Sequence, residues 1–237
     1  MMQDDITVVL AVTPDLPYPR YAAHCLYSLH RSNPTANVML LEVPSHPDDY
    51  GWMAVVDALK VGPMFPDREG WLCLMDADSW VNGNLAALVS PGMDIGLRVS
   101  KAYKDGHVNR QEWYATLEAY DVGHLAPIYS NGVMMMPWPT AAVLQRELWP
   151  TIKTVRESGL PDPLHIPHRP AWWMADQYAL SIICARHKWQ VRQYGPADVS
   201  WNFAGEWGEG NGLGIVHHLG KKCDPFGAKQ WPAFRTA

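Results

Sequence analysis

The sequence predicts an α/β protein with a mostly parallel central sheet and helices on both faces, forming a single domain over residues 1–237. Three observations predict it. Short apolar runs rich in β-branched residues alternate with segments of helical period through the first third of the chain. The third such run ends on a pair of carboxylates, and the carboxyl ends of strands are where open α/β sheets bind ligands. Finally, 48% hydrophobic and 18% charged residues in a chain of 237 describe a folded globular protein with enough material for one sizeable core.

Each element follows from local pattern. Thr7 to Val12 is a continuous apolar run and reads as a buried first strand. A proline-rich turn, Pro14 to Pro19, separates it from a helix over Tyr21 to Ser32, whose Ala22, Leu26 and Leu29 share one face. Asn33-Pro34 ends that helix, and Val38 to Val43 is the second strand. Ala54 to Val61 is helical, and Trp71 to Met75 is a third strand running into Asp76. In the second half, Asp94 to Val99 and Tyr129 to Met136 read as strands. Ala141 to Ser158 reads as a helix kinked or broken near Pro150 and stopped at Gly159. Leu160 to Pro170 is a loop, Trp173 to His187 a helix and Gln190 to Tyr194 a short strand. Trp207 to Gly214 is a glycine-rich loop, and Ile215-Val216 leads into His217.

The formal net charge of −5 supplies no general attraction to nucleic acid or to anionic membranes. No apolar run is long enough to span a bilayer, and Met1 to Asp5 is acidic where a signal peptide is basic, so the expected location is the cytoplasm. Cys25, Cys73, Cys184 and Cys223 have no close paired spacing, and three of them lie in apolar segments, as buried reduced thiols do. Several of the 12 tryptophans cluster near glycine and proline in the second half, which suggests pocket walls as well as core.

The strongest chemical signal is Trp71-Leu-Cys-Leu-Met-Asp76-Ala-Asp78. Residues two apart in an extended chain point the same way, so both carboxylates can reach one ion. Hard oxygen donors suit Mg²⁺ or Mn²⁺, which bridge to substrate phosphates; the structural reading is a pair of acids capping the next turn. A second signal is Ile215-Val216-His217-His218-Leu-Gly220-Lys221-Lys222, where an imidazole follows an apolar run and two cations follow a glycine. Its structural reading is a surface turn with a solvated lysine pair. Tyr129-Ser130-Asn131-Gly132 opens an apolar strand with polar groups. Asp176-Gln177 falls in the first turn of a helix, where an acid is favoured by the helix dipole in any case. Trp201-Asn202 sets an amide beside an aromatic wall, as sugar sites and ordinary core corners both do.

Taken in order, these segments resemble nucleotide-diphospho-sugar transferases of the GT-A fold. More narrowly, they are similar to the retaining glycosyltransferase family 8, the family of glycogenin and of bacterial lipooligosaccharide galactosyltransferases. The likeness spans residues 6 to 226. It implies that Asp76, Asp78 and His217 hold the metal, Mn²⁺ or Mg²⁺, and that Thr13 and Pro14 lie near the nucleoside. It further implies that Ser130, Asn131, Gly132, Trp201 and Asn202 line the substrate site, and that Asp176 and Gln177 lie beside the anomeric carbon and the acceptor. The family's asparagine falls on Ser130, with Asn131 one position later. Its late lysine falls on Cys223, leaving Lys221 or Lys222 to face the diphosphate.

The implied activity is transfer of a sugar from a nucleotide diphosphate, a UDP-sugar first, to an acceptor hydroxyl with retention. Three other readings stand beside it. A haloacid-dehalogenase-like phosphatase also presents Asp-x-Asp after an apolar strand, but usually on its first strand and with a later acidic pair. A sugar-nucleotide-binding module without catalysis would keep the same pocket. A glycosyltransferase acting on hydroxylated DNA bases of phage type would use the basic tail from Lys221 to Arg235, against which the acidic net charge weighs.

Overall fold

The computed structural model describes residues 5–14, 18–44, 52–61, 69–164, 171–201 and 215–218. Its centre is a six-stranded sheet of β1 (Ile6–Val12), β2 (Asn37–Glu42), β3 (Trp71–Asp76), β5 (Ile95–Val99), β6 (Tyr129–Pro137) and β7 (Val191–Tyr194), in the order β2-β1-β3-β6-β5-β7. The neighbours β1–β2, β1–β3 and β5–β7 are parallel, and β6 alone runs against its two neighbours. The mostly parallel sheet expected from the sequence is therefore present, and the antiparallel β6 has a specific consequence. Its first residues, not its last, lie at the carboxyl edge shared by β1, β3 and β5.

A second, three-stranded sheet consists of β4 (Ser79–Val81), β8 (Val199–Trp201) and β9 (Val216–His218), ordered β4-β9-β8. It begins immediately after Asp78 and so continues the chain from the carboxyl edge of β3. None of these three-residue strands except the approach to His217 is marked by local pattern; each exists through its partner.

Two cores cover the two faces of the large sheet, because successive side chains of a strand point to opposite sides. Val9, Leu72, Leu74, Met134 and Met136 face one side, where α2 (Trp52–Leu59), α4 (Arg110–Glu118), α5 (Trp138–Glu157) and α6 (Ala175–Arg186) pack. Val8, Leu10, Cys73, Met75, Val133 and Met135 face the other, against α1 (Tyr18–Ser32) and the small sheet. Cys25, Cys73 and Cys184 are free and buried, as expected, and burial raises the Cys73 thiol to about 12. Trp113, Trp138 and Trp172 are buried in the first core and serve packing.

Two helices differ from expectation in instructive ways. Helix α5 runs unbroken through Pro150, its buried Ala141, Leu144, Leu148, Ile152 and Val155 spaced at three and four residues. Proline removes one hydrogen bond there, but the apolar stripe on both sides of it is anchored in one core, and tertiary packing overrides the local break. Helix α6 has no polar stripe: Ala175, Asp176 and every residue from Tyr178 to Cys184 are buried. It lies in the core between β6 and α5, so an acid in its first turn is buried with it. The sequence pattern also left residues 100–128 unassigned, where α3 (Lys101–Lys104) and α4 link β5 to β6.

Gly70 sets the entry to β3. Its φ is +95°, and a Cβ there would come within 2.3 Å of the Asp5 carbonyl oxygen, so only glycine lets the two chains pass.

Candidate active site

The candidate site is built where several chain segments meet at the carboxyl edge of the large sheet. β1 delivers Thr13 and Pro14 there. They line a cleft of about 450 Å³ with Val12, Pro19, Ala22, Ala23, Leu26, Leu40 and Glu42, between the ends of β1 and β2 and the first turns of α1. Thr13 Oγ1 is buried and has no hydrogen-bond partner among the described residues. A buried hydroxyl without a partner is costly, and a ligand in the cleft can satisfy it.

β3 delivers the two acids. Asp76 is its last residue and is half-buried; Asp78 is buried at the turn into β4. β4 pairs antiparallel with β9, with Ser79 opposite His218, Trp80 opposite His217 and Val81 opposite Val216. Paired strands lie about 4.7–4.9 Å apart. The backbone of His217 thus runs beside a residue two positions beyond Asp78, although the chain between them is long. The His217 side chain lies outside what the structure describes, as do the side chain of Trp201 and all of Asn202, Lys221 and Lys222. The loops over 165–170 and 207–214 and the Cys223 position also lie outside the described residues. Among the described residues, no group of three His, Cys, Asp or Glu is placed to hold a metal. Asp76 and Asp78 are the described part of the expected set. Two carboxylates at one strand end, with a histidine-bearing strand laid beside the next, fit a hard divalent ion in donor chemistry and in backbone placement.

β6 delivers Ser130, Asn131 and Gly132 through its antiparallel course. Its pairing with β3 ends at Met75–Val133, so Asn131 and Gly132 lie just past Asp76's end of β3. The pairing with β5 is irregular: Gly96 opposes Met135 but Arg98 opposes Ser130. More β6 residues than β5 residues fill that interval, which makes a bulge of the kind that re-aims side chains beside active sites. Asn131 is among the extra residues, and its Nδ2 donates to Asp176 Oδ2 at 2.6 Å. Of the two candidates, Asn131 and not Ser130 is the residue that bonds Asp176. Ser130 is buried, and its hydroxyl accepts from the Gly132 N–H at 3.4 Å.

α6 delivers Asp176 and Gln177. The Asp176 carboxyl is pushed up to about 6 by burial, and the Asn131 amide and the backbone N–H groups of Gln177 and Asp176 draw it partly back. Gln177 Oε1 is buried without a partner among the described residues. A carboxyl poised near neutrality beside an unsatisfied amide oxygen is an arrangement that structural roles alone do not require.

Sequence reasoning missed Arg98, which lies only 2% exposed on β5 and donates through Nη1 to the Val199 carbonyl of β8. It pins the small sheet to the large one, and burial lowers its guanidinium to about 10. The signal was present: one cation inside the apolar run Ile95–Val99. Ser79, which closes the Asp76-Ala-Asp78-Ser79 segment but was given no role from sequence, has a buried hydroxyl without a partner among the described residues.

These features define the class of fold, an α/β protein with a mostly parallel central sheet, two carboxylates at its carboxyl edge and a small second sheet. Solved structures of the galactosyltransferase LgtC match the overall fold. One, in complex with donor and acceptor sugar analogues, matches with a TM-score of 0.59 at 12% identity, covering 94% of this chain and 90% of that one. Another, an active-site mutant of LgtC, matches with a TM-score of 0.57 at 12% identity over the same shares. At this identity the likeness is one of fold, and it agrees with the GT-A architecture expected from the motifs. No protein-family model and no curated protein sequence matches the chain.

Proposed function

We propose that this chain is a metal-dependent glycosyltransferase that moves a sugar from a nucleotide diphosphate, a UDP-sugar first, to an acceptor hydroxyl with retention. The observation that carries the reading is the Asn131–Asp176 pair at 2.6 Å, partly buried at the sheet edge where β3 ends in Asp76 and the turn to β4 carries Asp78. The chemistry needs two charges managed at once. Cleavage of the sugar–phosphate bond leaves negative charge on the diphosphate and positive character on the anomeric carbon.

Asp76, Asp78 and His217 would hold Mn²⁺ or Mg²⁺, which supplies neutralisation of the departing diphosphate. Lys221 or Lys222 would add positive charge to the same group. Thr13 and Pro14 would bind the nucleoside in the cleft between β1 and β2. Ionised Asp176, oriented by Asn131, would stabilise the cationic sugar from a site that excludes water. Gln177 Oε1 would accept a hydrogen bond from a sugar or acceptor hydroxyl. Ser130, Gly132, Trp201 and Asn202 would line the sugar pocket. The acceptor's proton would pass to the leaving phosphate. No described helix is long and apolar enough to cross a membrane.

The test is incubation with a panel of UDP-, GDP- and other nucleotide sugars plus Mn²⁺. The expected result is stabilisation by one class, worth ~2.7 kcal/mol at ~100 times its dissociation constant, and release of its nucleoside diphosphate. Stabilisation without release would mark a binding module. Trapping by beryllofluoride, with no response to any nucleotide sugar, would mark a phosphatase.

A further inference from the structure

Four residues before Asp176 the backbone takes a conformation that bulky side chains rarely adopt. Trp172 has φ 62°, in the left-handed region, where a large L-residue persists only if its surroundings over-determine it. Asp162 supplies that determination. Its Oδ2 accepts the Trp172 N–H at 2.5 Å, and its Oδ1 accepts the Leu164 N–H and the Tyr178 hydroxyl, each at 3.0 Å. Tyr178 is fully buried and meets the Trp172 ring edge-on at 5.7 Å. One carboxylate therefore grips the chain on both sides of Asp176 and Gln177. The turn between hangs from the same anchor. The Ala175 N–H donates to the Trp172 carbonyl at 3.0 Å, and those of Gln177 and Tyr178 donate to the Met174 carbonyl at 3.0 and 3.1 Å.

We propose that Asp162 is a positioning residue for the proposed reaction: by fixing the left-handed turn at Trp172 and the Tyr178 ring, it sets Asp176 against Asn131 and Gln177 beside them. The use of that placement rests on the glycosyltransferase reading; the clasp does not. Asp162 acts through Trp172 and Tyr178.

The test is Asp162→Asn, which keeps the shape but turns one acceptor into a donor facing an N–H or O–H. Two measurements decide it. In substrate-free protein, the Asp176 carboxyl is titrated by carbon NMR and assigned with Asp176→Asn. The wild-type midpoint of about 6 reflects burial; in Asp162→Asn it should fall by about one unit or more, because a loosened turn admits water. In turnover, kcat should drop by ~10²-fold, the cost of a small misplacement, with the donor KM within about twofold. Leu88→Ala, a core truncation on the opposite face of the sheet, should lower the melting temperature and move neither readout. Should Asp162→Asn not fold, Tyr178→Phe removes one tie and should shift both readouts in the same direction. A folded variant that melts lower but keeps the wild-type titration and kcat overturns the proposal. If wild type turns over no donor, the enzyme reading fails, while the titration still decides the clasp.

Discussion

The two edges of the large sheet handle their polar groups in opposite ways. At the amino edge, where β5 and β7 begin and α6 ends, the partners are local and the bonds are made. Asp94 accepts the Gln190 N–H at 2.7 Å, and Glu147 receives both Arg186 and His187, the latter stacked on Trp189. At the carboxyl edge, Thr13 Oγ1, Ser79 Oγ and Gln177 Oε1 are buried without partners among the described residues, and Asp176 is buried with its carboxyl near 6. The Tyr120 hydroxyl, just past α4, is likewise buried without a partner among the described residues. A fold minimising its own energy would close both edges. The contrast accords with the proposal that the carboxyl edge is completed by a bound ligand.

The largest expected effects lie at the open edge. Asp76→Asn or Asp78→Asn should lower turnover by ~10²–10³-fold, the usual loss when a group managing transition-state charge is removed. A chelator should abolish activity, and Mn²⁺ or Mg²⁺ should restore it. Full activity in excess EDTA would contradict the role given to these acids.

Asp176→Asn comes next and separates function from stability. Turnover should fall ~10²-fold or more, with donor affinity within about twofold, because the group acts late along the reaction. Stability should move the other way. The folded carboxyl titrates at about 6, above its ordinary 3.8, so between those values the folded protein keeps a proton that the unfolded chain has released. Stability therefore falls as pH rises through that window and stays reduced above it, by roughly 2–3 kcal/mol. The asparagine variant escapes that cost and should melt higher than wild type at pH 7.5; a lower melting temperature would mean that the carboxylate is part of the fold's support. Because the proposed role uses the ionised form, turnover should decline on acidification through about pH 6 in wild type. A rate unchanged from pH 7.5 to 5 would assign Asp176 another role.

The closed edge should give the smallest effect. Glu147→Gln removes a partly exposed ion pair with Arg186 and His187, whose side chains are 39% and 34% exposed. The expected cost is under about 1 kcal/mol, with unchanged turnover. A large loss of activity there would break the distinction between the edges.

The legible parts of the molecule were those whose signal is local. β1 and β3 read directly because strands buried on both faces are continuous apolar runs, and Asp76 and Asp78 stood out against one. Helix α4 went unread because only Trp113, Thr116 and Leu117 of its residues are buried, too few for a periodic stripe. β4 and β8 are three residues each and owe their existence to β9, which lies far along the chain from β4. The state of Asp176 was illegible for a related reason. An acid in a first turn has an ordinary explanation, and only the packing of α6 on every side turns it into a buried, proton-holding group. Asn131 reached its partner through a bulge that no single-strand pattern announces.

The most direct measurement is a structure of the protein crystallised with Mg²⁺ and UDP. The predicted result is one ion with carboxylate oxygens of Asp76 and Asp78 about 2.1 Å away, a His217 nitrogen in the same shell, and the nucleoside in the Thr13–Pro14 cleft. An ion bound elsewhere, or a His217 imidazole more than about 12 Å from both carboxylates, too far for a shared ion, would contradict it.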